Sequence, residues 1–282
     1  MKRTLFILIC AFLCPMASQA SSVLINIACD ATASKMGGTS SASQGMQTGS
    51  FAVQTVDSGS WNEITATSSG AATRSSQSIS LVDSSNQNSG LSISNINLPG
   101  GKGSGAVLNS FPTGNADLSS KYASYGNAWK GGVSVAAGSS SSVQLFTLSG
   151  FQASTTYTIT LLCGRANTYP TTGGNTCGFT LSGIEGLAAS VATAGNAPSP
   201  TIDGSTVSGI GVNANQMTEV TWTFTTGDTV DPSLNVSLTG IGDYNVNMVE
   251  INSLNVPEPG TASLSLLGLG ALVLRRKRSS VH

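Results

Sequence analysis

The chain of 282 residues holds a single histidine, and that is His282, the last residue. A body without histidine cannot assemble a Ser-His-Asp or Cys-His arrangement, nor a His-ligated zinc or haem site. Charge is nearly as scarce: Asp, Glu, Lys and Arg make up 9% of the residues. Half of the twelve Lys and Arg crowd the two ends, as Lys2, Arg3 and Arg275-Arg276-Lys277-Arg278. Between Ser21 and Val256 that leaves Lys35, Arg74, Lys102, Lys121, Lys130 and Arg165 against twelve acidic residues, a formal charge of −6. So sparse and acidic a body has no electrostatic footprint for nucleic acid and no basic patch for anionic lipid. Catalytic motifs are missing too. There is no Gly-x-Ser-x-Gly elbow and no His-Glu-x-x-His. Glu63, Glu185, Glu219 and Glu250 stand alone in sequence, with no Glu-x-Asp pattern. Gly100-Gly101-Lys102-Gly103-Ser104-Gly105 lacks the Gly five before Gly101 and has Gly103 where a phosphate loop needs Ser or Thr, so it reads as a flexible turn.

The two ends are the most legible parts of the chain. Lys2-Arg3 precede the apolar stretch Leu5 to Leu13, and Ser18-Gln19-Ala20 offers small residues for cleavage. That pattern is a secretory signal peptide, cut after Ala20. Cys14 raises a lipoprotein alternative, but Leu13 is not the small residue a lipidation site wants before its cysteine. At the other end Val256-Pro257-Glu258-Pro259 is followed by the apolar run Leu264 to Leu274 and then by Arg275-Arg276-Lys277-Arg278. The prolines stop any preceding fold. The apolar run can enter a bilayer, and the basic cluster stays on the cytoplasmic side. Thr261 to Leu274 would make about 21 Å of helix against a hydrocarbon core of about 30 Å, short for a span. A core helix of that length would be amphipathic and capped, which this segment is not. The tail closely resembles the PEP-CTERM sorting signal of Gram-negative bacteria. The resemblance implies that Pro257, Glu258, Pro259 and the basic residues Arg275, Arg276, Lys277 and Arg278 form a sorting signal. It also implies that the tail holds the exported protein at the inner membrane until an exosortase removes it.

Between these ends lies a Ser-, Thr- and Gly-rich body in which apolar residues alternate in short runs. After Val23 to Ile27 they recur at Phe51 to Val56, Trp61 to Ala66, Ser78 to Val82, Leu91 to Ile96, Val133 to Ala136 and Val143 to Leu148. Further runs follow at Tyr157 to Leu162, Phe179 to Ser182, Val220 to Thr225, Leu234 to Leu238 and Val246 to Ile251. Short strands separated by Gly, Ser, Asn and Pro clusters predict an all-β sandwich or barrel. No stretch of the body carries a convincing helical period, although a short helix fits near Ala116 to Tyr125. In Val220-Thr221-Trp222-Thr223-Phe224-Thr225 the large apolar residues share one face, which assigns Trp222 to the core. Trp61 reads the same way. Gly150-Phe151 followed by Thr155-Thr156-Tyr157 looks like the tyrosine corner of sandwich domains, with Ala153 where a proline is usual. The longer pattern, from Ile25-Asn26-Ile27 through Tyr157 to Val249-Glu250-Ile251, is similar to galactose-binding-like and malectin-like jelly rolls.

Export implies an oxidising compartment for Cys29, Cys163 and Cys177. Cys163 and Cys177 bracket a Gly- and Pro-containing loop, and a disulfide between them would close about 15 residues, worth about 3 kcal/mol in the chain-entropy account. Cys29 follows Val23, Ile25 and Ile27 at period two, so it reads as a buried thiol, with intermolecular pairing as the alternative. For ligand binding, Tyr122, Tyr125 and Trp129 sit amid Gly, Ser, Asn and Lys outside any strong strand. Sugars stack C–H faces on such rings while Asn and Lys meet their hydroxyls. Tyr169 is a second, weaker candidate. The competing reading is that these rings plug one end of the sandwich. No cofactor is expected. Jelly rolls of the resembled type often carry structural calcium, for which Asp228, Asp231 and Asp243 could supply oxygens.

The expectation is therefore an exported, non-enzymatic protein in three parts: a signal peptide at 1–20, a body at 21–255 and a sorting tail at 256–282. The body is an antiparallel, jelly-roll-like β-sandwich, flanked by an N-terminal signal helix and a short C-terminal transmembrane helix. Its partners are the general secretion machinery, signal peptidase, exosortase, the inner membrane transiently, and an extracellular polysaccharide. Its destination is the cell surface or the extracellular matrix. The leading hypothesis is a glycan-binding surface module. A purely structural or adhesive matrix protein comes next, and a carbohydrate-active enzyme using Glu219 and Glu250 comes last.

Overall fold

Residues with period-two alternation pair into two sheets. The computed structural model describes residues 22–29, 50–56, 59–66, 72–74, 78–98, 113–125, 133–137, 142–165, 176–195, 197–211, 216–228, 232–240 and 242–254. The expected signal helix, transmembrane helix and sorting residues lie outside them. Among the described residues no helix is long and apolar enough to cross a membrane.

The larger sheet runs, edge to edge, through β12 (Ala188–Gly195), β15 (Gln216–Thr225), β10 (Thr156–Arg165), β17 (Gly242–Leu254), β1 (Ser22–Cys29), β3 (Gly59–Ala66) and β2 (Ser50–Val56). An eighth strand, β8 (Val133–Ala137), pairs with the first half of β17, whose second half pairs with β1. The smaller sheet runs through β13 (Thr201–Asp203), β14 (Thr206–Gly211), β11 (Thr176–Ser182), β16 (Leu234–Gly240), β9 (Val143–Ser149), β6 (Asn88–Ser94) and β5 (Ile79–Val82). A two-stranded ribbon joins β4 (Ala72–Arg74) to β7 (Ile96–Leu98). From β8 onward the chain steps from one sheet to the other at each strand, interrupted only by the β13–β14 hairpin. The expected antiparallel pairing holds with one departure: β1 lies parallel to β3.

One hydrophobic cluster draws on both sheets, with Ile25, Leu145, Ile159, Phe179, Trp222, Val236 and Val249 among its buried members. This is the interior of a β-sandwich. Trp222 is fully buried, as its strand pattern requires, and its indole N–H donates to Ser205 O at 2.9 Å. Trp61 is also fully buried, but on the other face of the larger sheet. At the corner before β10, the amide of Gln152 donates to the Tyr157 hydroxyl at 2.9 Å, and Phe151 packs edge-on against Tyr157. Gly150, with φ +89°, lets the chain pass where a Cβ would stand 2.1 Å from Gly90 O. Between the sheets' edges, Asn62 donates to Leu24 O and Val82 O and accepts from the Val82 amide, tying β3 to β5.

Leu91 to Ile96 divides into β6 and β7 at Asn95, whose φ of +50° breaks the ladder. Four strands escape a reading by alternation: β4, β12, β13 and β14. Ala188-Ala189-Ser190-Val191-Ala192-Thr193-Ala194-Gly195 has little apolar volume, yet all of it pairs with β15. Strand formation there is imposed by the neighbour rather than by intrinsic preference.

Candidate functional site

The larger sheet has a second buried face. Strand β1 buries Val23, Ile25 and Ile27 inward and Leu24 outward, and β10 buries Leu161 inward and Leu162 outward. What covers the outward residues is the single helix of the described chain, α1 (Ala116–Ala123). Eight residues are too few to hold a helix in water. Tertiary contacts hold this one. Asn115 caps it by accepting from the Leu118 amide at 3.0 Å, while its own side-chain amide donates to Thr193 O. The Gly195 amide donates to Thr113 O at 2.8 Å. Leu118 and Tyr122, four residues apart, share the sheet-facing side and pack with Leu24, Trp61, Leu162, Ala194, Met217 and Met248.

Charged groups meet at the margin of this apolar patch. Register places Glu219 of β15 beside Leu162 and Glu250 of β17 beside Thr160, so both carboxylates stand on the outward face, on either side of β10. Glu219 Oε2 accepts from Lys121 Nζ at 2.8 Å and from the Tyr122 hydroxyl. Glu250 Oε1 accepts from the Tyr125 hydroxyl at 2.9 Å and from Asn252 Nδ2 at 3.1 Å. Glu250 Oε2 accepts no hydrogen bond but lies 3.4 Å from Lys121 Nζ, a contact of charge alone. Lys121 thus stands between two carboxylates, 5.2 Å from the centre of the Tyr122 ring. Tyr125 packs edge-on against both Trp61 and Tyr122.

Burial, then the charge of Glu219 and the bond to it, hold the Tyr122 hydroxyl well above the ordinary phenol range. Burial, then Glu250, does the same for Tyr125. Both phenols therefore stay protonated and donate. The two Oε2 oxygens are no farther apart than their distances to the shared nitrogen laid end to end, which is within reach of the about 5–9.5 Å that paired glycosidase carboxylates use. Their surroundings differ from such a pair. The Glu250 side chain is 7% exposed, Glu219 14%, and a lysine sits where a substrate oxygen would. In this arrangement the carboxylates clamp α1 to the sheet.

The aromatic residues expected to form a ligand platform are thereby corrected in part. Tyr122 and Tyr125 are brought together, but Tyr122 is fully buried and Tyr125 half-buried against Trp61. The reason is the helix: spacing with Leu118 turns Tyr122 toward the sheet. Trp129 and Tyr169 lie outside the described residues. Asp228 is exposed and accepts from Ser154 Oγ at 2.8 Å. Asp231 and the side chain of Asp243 lie outside the described residues, and no metal-binding group of side chains occurs among those described. The bridge expected between Cys163 and Cys177 is not formed. Both are free thiols in the inter-sheet core, and burial pushes both upward, Cys163 further through its neighbour Cys177. The side chain of Cys29 lies outside the described residues. Sequence reasoning named Glu219 and Glu250 but not their common partner Lys121, because the helix that carries it is remote from both strands in the chain.

No curated protein matches this chain. Residues 255–278 match the PEP-CTERM protein-sorting motif, so the chain is an exported protein that an exosortase sorts at the membrane.

Proposed function

We propose that the body works outside the inner membrane as a non-catalytic, jelly-roll-like β-sandwich of the cell surface or extracellular matrix. Signal peptidase removes residues 1–20, and exosortase cuts near Pro257-Glu258-Pro259. One observation carries the reading. The last described strand, β17, ends at Leu254, and the sorting motif begins at residue 255. Cleavage within the motif removes none of the described strands and leaves each of their ladders intact. The alternation of strands between the sheets supports the jelly-roll reading. A non-catalytic role is supported by the missing histidine and by carboxylates that already serve Lys121, Tyr122 and Tyr125.

The test is to express the full chain and a variant lacking residues 257–282 in a host with exosortase and in one without it. The full chain should stay with the membrane fraction where exosortase is missing and be released where it is present. The truncated variant should be released in both hosts. Membrane retention of the truncated variant would overturn the reading. A second reading, a carbohydrate-active enzyme, draws on Glu219 and Glu250 meeting at one lysine. It requires polysaccharide hydrolysis by the wild type that is lost in Glu250→Gln.

A further inference from the structure

The chain enters and leaves the sandwich at neighbouring points. Ser22, the first residue of β1, lies directly opposite Asn252, near the end of β17, and Ser22 Oγ donates to Asn252 Oδ1 at 2.6 Å. These two residues stand 230 positions apart in the chain. Strand β17 is the last described strand and also a central one. It pairs with β10 along one edge and with β8 and then β1 along the other. Without it the described strands of the larger sheet fall into β12-β15-β10, β1-β3-β2 and β8 alone. It also serves both apolar clusters. Val246, Val249 and Ile251 are buried between the sheets, Met248 is buried with Leu118 and Tyr122, and Glu250 meets Lys121 and Tyr125. The sorting motif begins at the next residue, and the apolar run begins at Leu264. The nine residues 255–263 between Leu254 and that run span at most about 32 Å.

We propose that exosortase acts on a body that is already folded: the tail holds the chain at the membrane while β17 closes the sheet between β10 and β1, and cleavage then releases a finished sandwich. The inference rests on the reading of the tail as a membrane-held sorting signal. Strand order is its first support. A chain exported from its N-terminus delivers β1 first and β17 last, so the larger sheet stays in pieces until residue 254 has crossed. By then the apolar run follows within nine residues. The second support is separation in sequence. Pairing residues 230 apart is slow, because a long loop must close before its contacts form. An interval at the membrane supplies the time. The third is what an early cut would leave. Released before β17 docks, the chain would carry Val246, Met248, Val249 and Ile251 in water and bare the facing edges of β10 and β1, a template for aggregation. The finished fold hides those side chains, while Leu254, where the sorting motif takes over, is 48% exposed.

The experiment reads the pairing of first and last strands directly. Opposed residues of an antiparallel pair have Cα atoms about 4.5–5.5 Å apart, within the range a disulfide spans. The double variant Ser22→Cys, Asn252→Cys of the full chain is expressed in a host without exosortase and in one with it. Spheroplasts are oxidised with diamide, and mass spectrometry identifies the peptide that joins positions 22 and 252, which tells this bridge from any made by the native cysteines. The membrane-held precursor should carry the bridge to the same extent as the released protein. Adding Val249→Pro breaks the β17 ladder and should abolish the bridge although the tail is unchanged. A bridge present in the released protein and missing from the held precursor would overturn the proposal, because folding then follows release. A bridge missing from both overturns it because the two strands do not pair. One that persists with Val249→Pro overturns it because tethering alone brings the ends together. A precursor that is not held in the host lacking exosortase refutes the sorting reading and takes the proposal with it, an outcome told from the others by membrane retention rather than by the bridge.

Discussion

The bond between Tyr122 and Glu219 is the most discriminating place to test the helix clamp. Tyr122 is fully buried, and its hydroxyl donates to a carboxylate that also holds Lys121. A hydrogen bond to a charged group contributes about 1.5–3 kcal/mol. The Lys121–Glu219 ion pair contributes less, about 0–1 kcal/mol, because the lysine side chain is 34% exposed and keeps Glu250 when Glu219 is gone. Single substitutions blur these terms. Glu219→Met removes the bond but also relieves the desolvation of a carboxylate, which can mask the loss. A double-mutant cycle of Glu219→Met and Tyr122→Phe separates them. Urea unfolding of the four proteins should give a coupling energy of about 1.5–3 kcal/mol. In thermal unfolding that is a shift of about 3–12 °C for a body of this size. A coupling below about 0.5 kcal/mol, the level at which independent sites already add, would refute the clamp.

Other outcomes follow from the same structure. The folded protein keeps the Tyr122 and Tyr125 hydroxyls protonated where the unfolded chain ionises near its ordinary value of about 10. Their contribution is therefore full below about pH 10 and is lost as pH rises above it. Urea midpoints should fall steeply on the alkaline side, and less steeply in Tyr122→Phe, while tyrosinate absorbance lags until the protein unfolds. Gly150→Ala should cost about 2 kcal/mol or more, because φ is +89° and the new Cβ would strike Gly90 O; wild-type stability by chemical denaturation would contradict this. Trp222→Ala should cost about 3–5 kcal/mol, read in the same way, since the indole is fully buried between the sheets. Tyr157→Phe should cost about 1 kcal/mol through loss of the hydrogen bond from the Gln152 amide.

Local rules decided a good deal of this protein. Alternation assigned Val220, Trp222 and Phe224 to one face and Thr221, Thr223 and Thr225 to the other, because side chains in a strand point to opposite sides whatever lies beyond. The Gly150 to Tyr157 corner was legible for a similar reason: a backbone turn and one aromatic hydroxyl lie within eight residues. The sorting motif at 255–278 is linear, read by its order and spacing, and needs no fold to be recognised. What depends on distant segments was not legible. The parallel pairing of β1 with β3 is a choice of neighbour, and no property of either strand alone selects it. Strand β12 is a strand because β15 offers an open edge. Tyr122 and Tyr125 looked like a sugar platform because their neighbours in sequence are small and polar; only the helix, which buries Tyr122 on Leu24, Trp61 and Leu162 and leaves Tyr125 half-buried beside it, shows how they are placed. Glu219 and Glu250, alone in the sequence, become partners through Lys121 nearly a hundred residues before the first of them. Composition, periodicity and linear signals act over a few residues and so survive in the sequence. The outward cluster and the meeting of β1 with β17 are set by which strands lie side by side, and only the tertiary structure decides that.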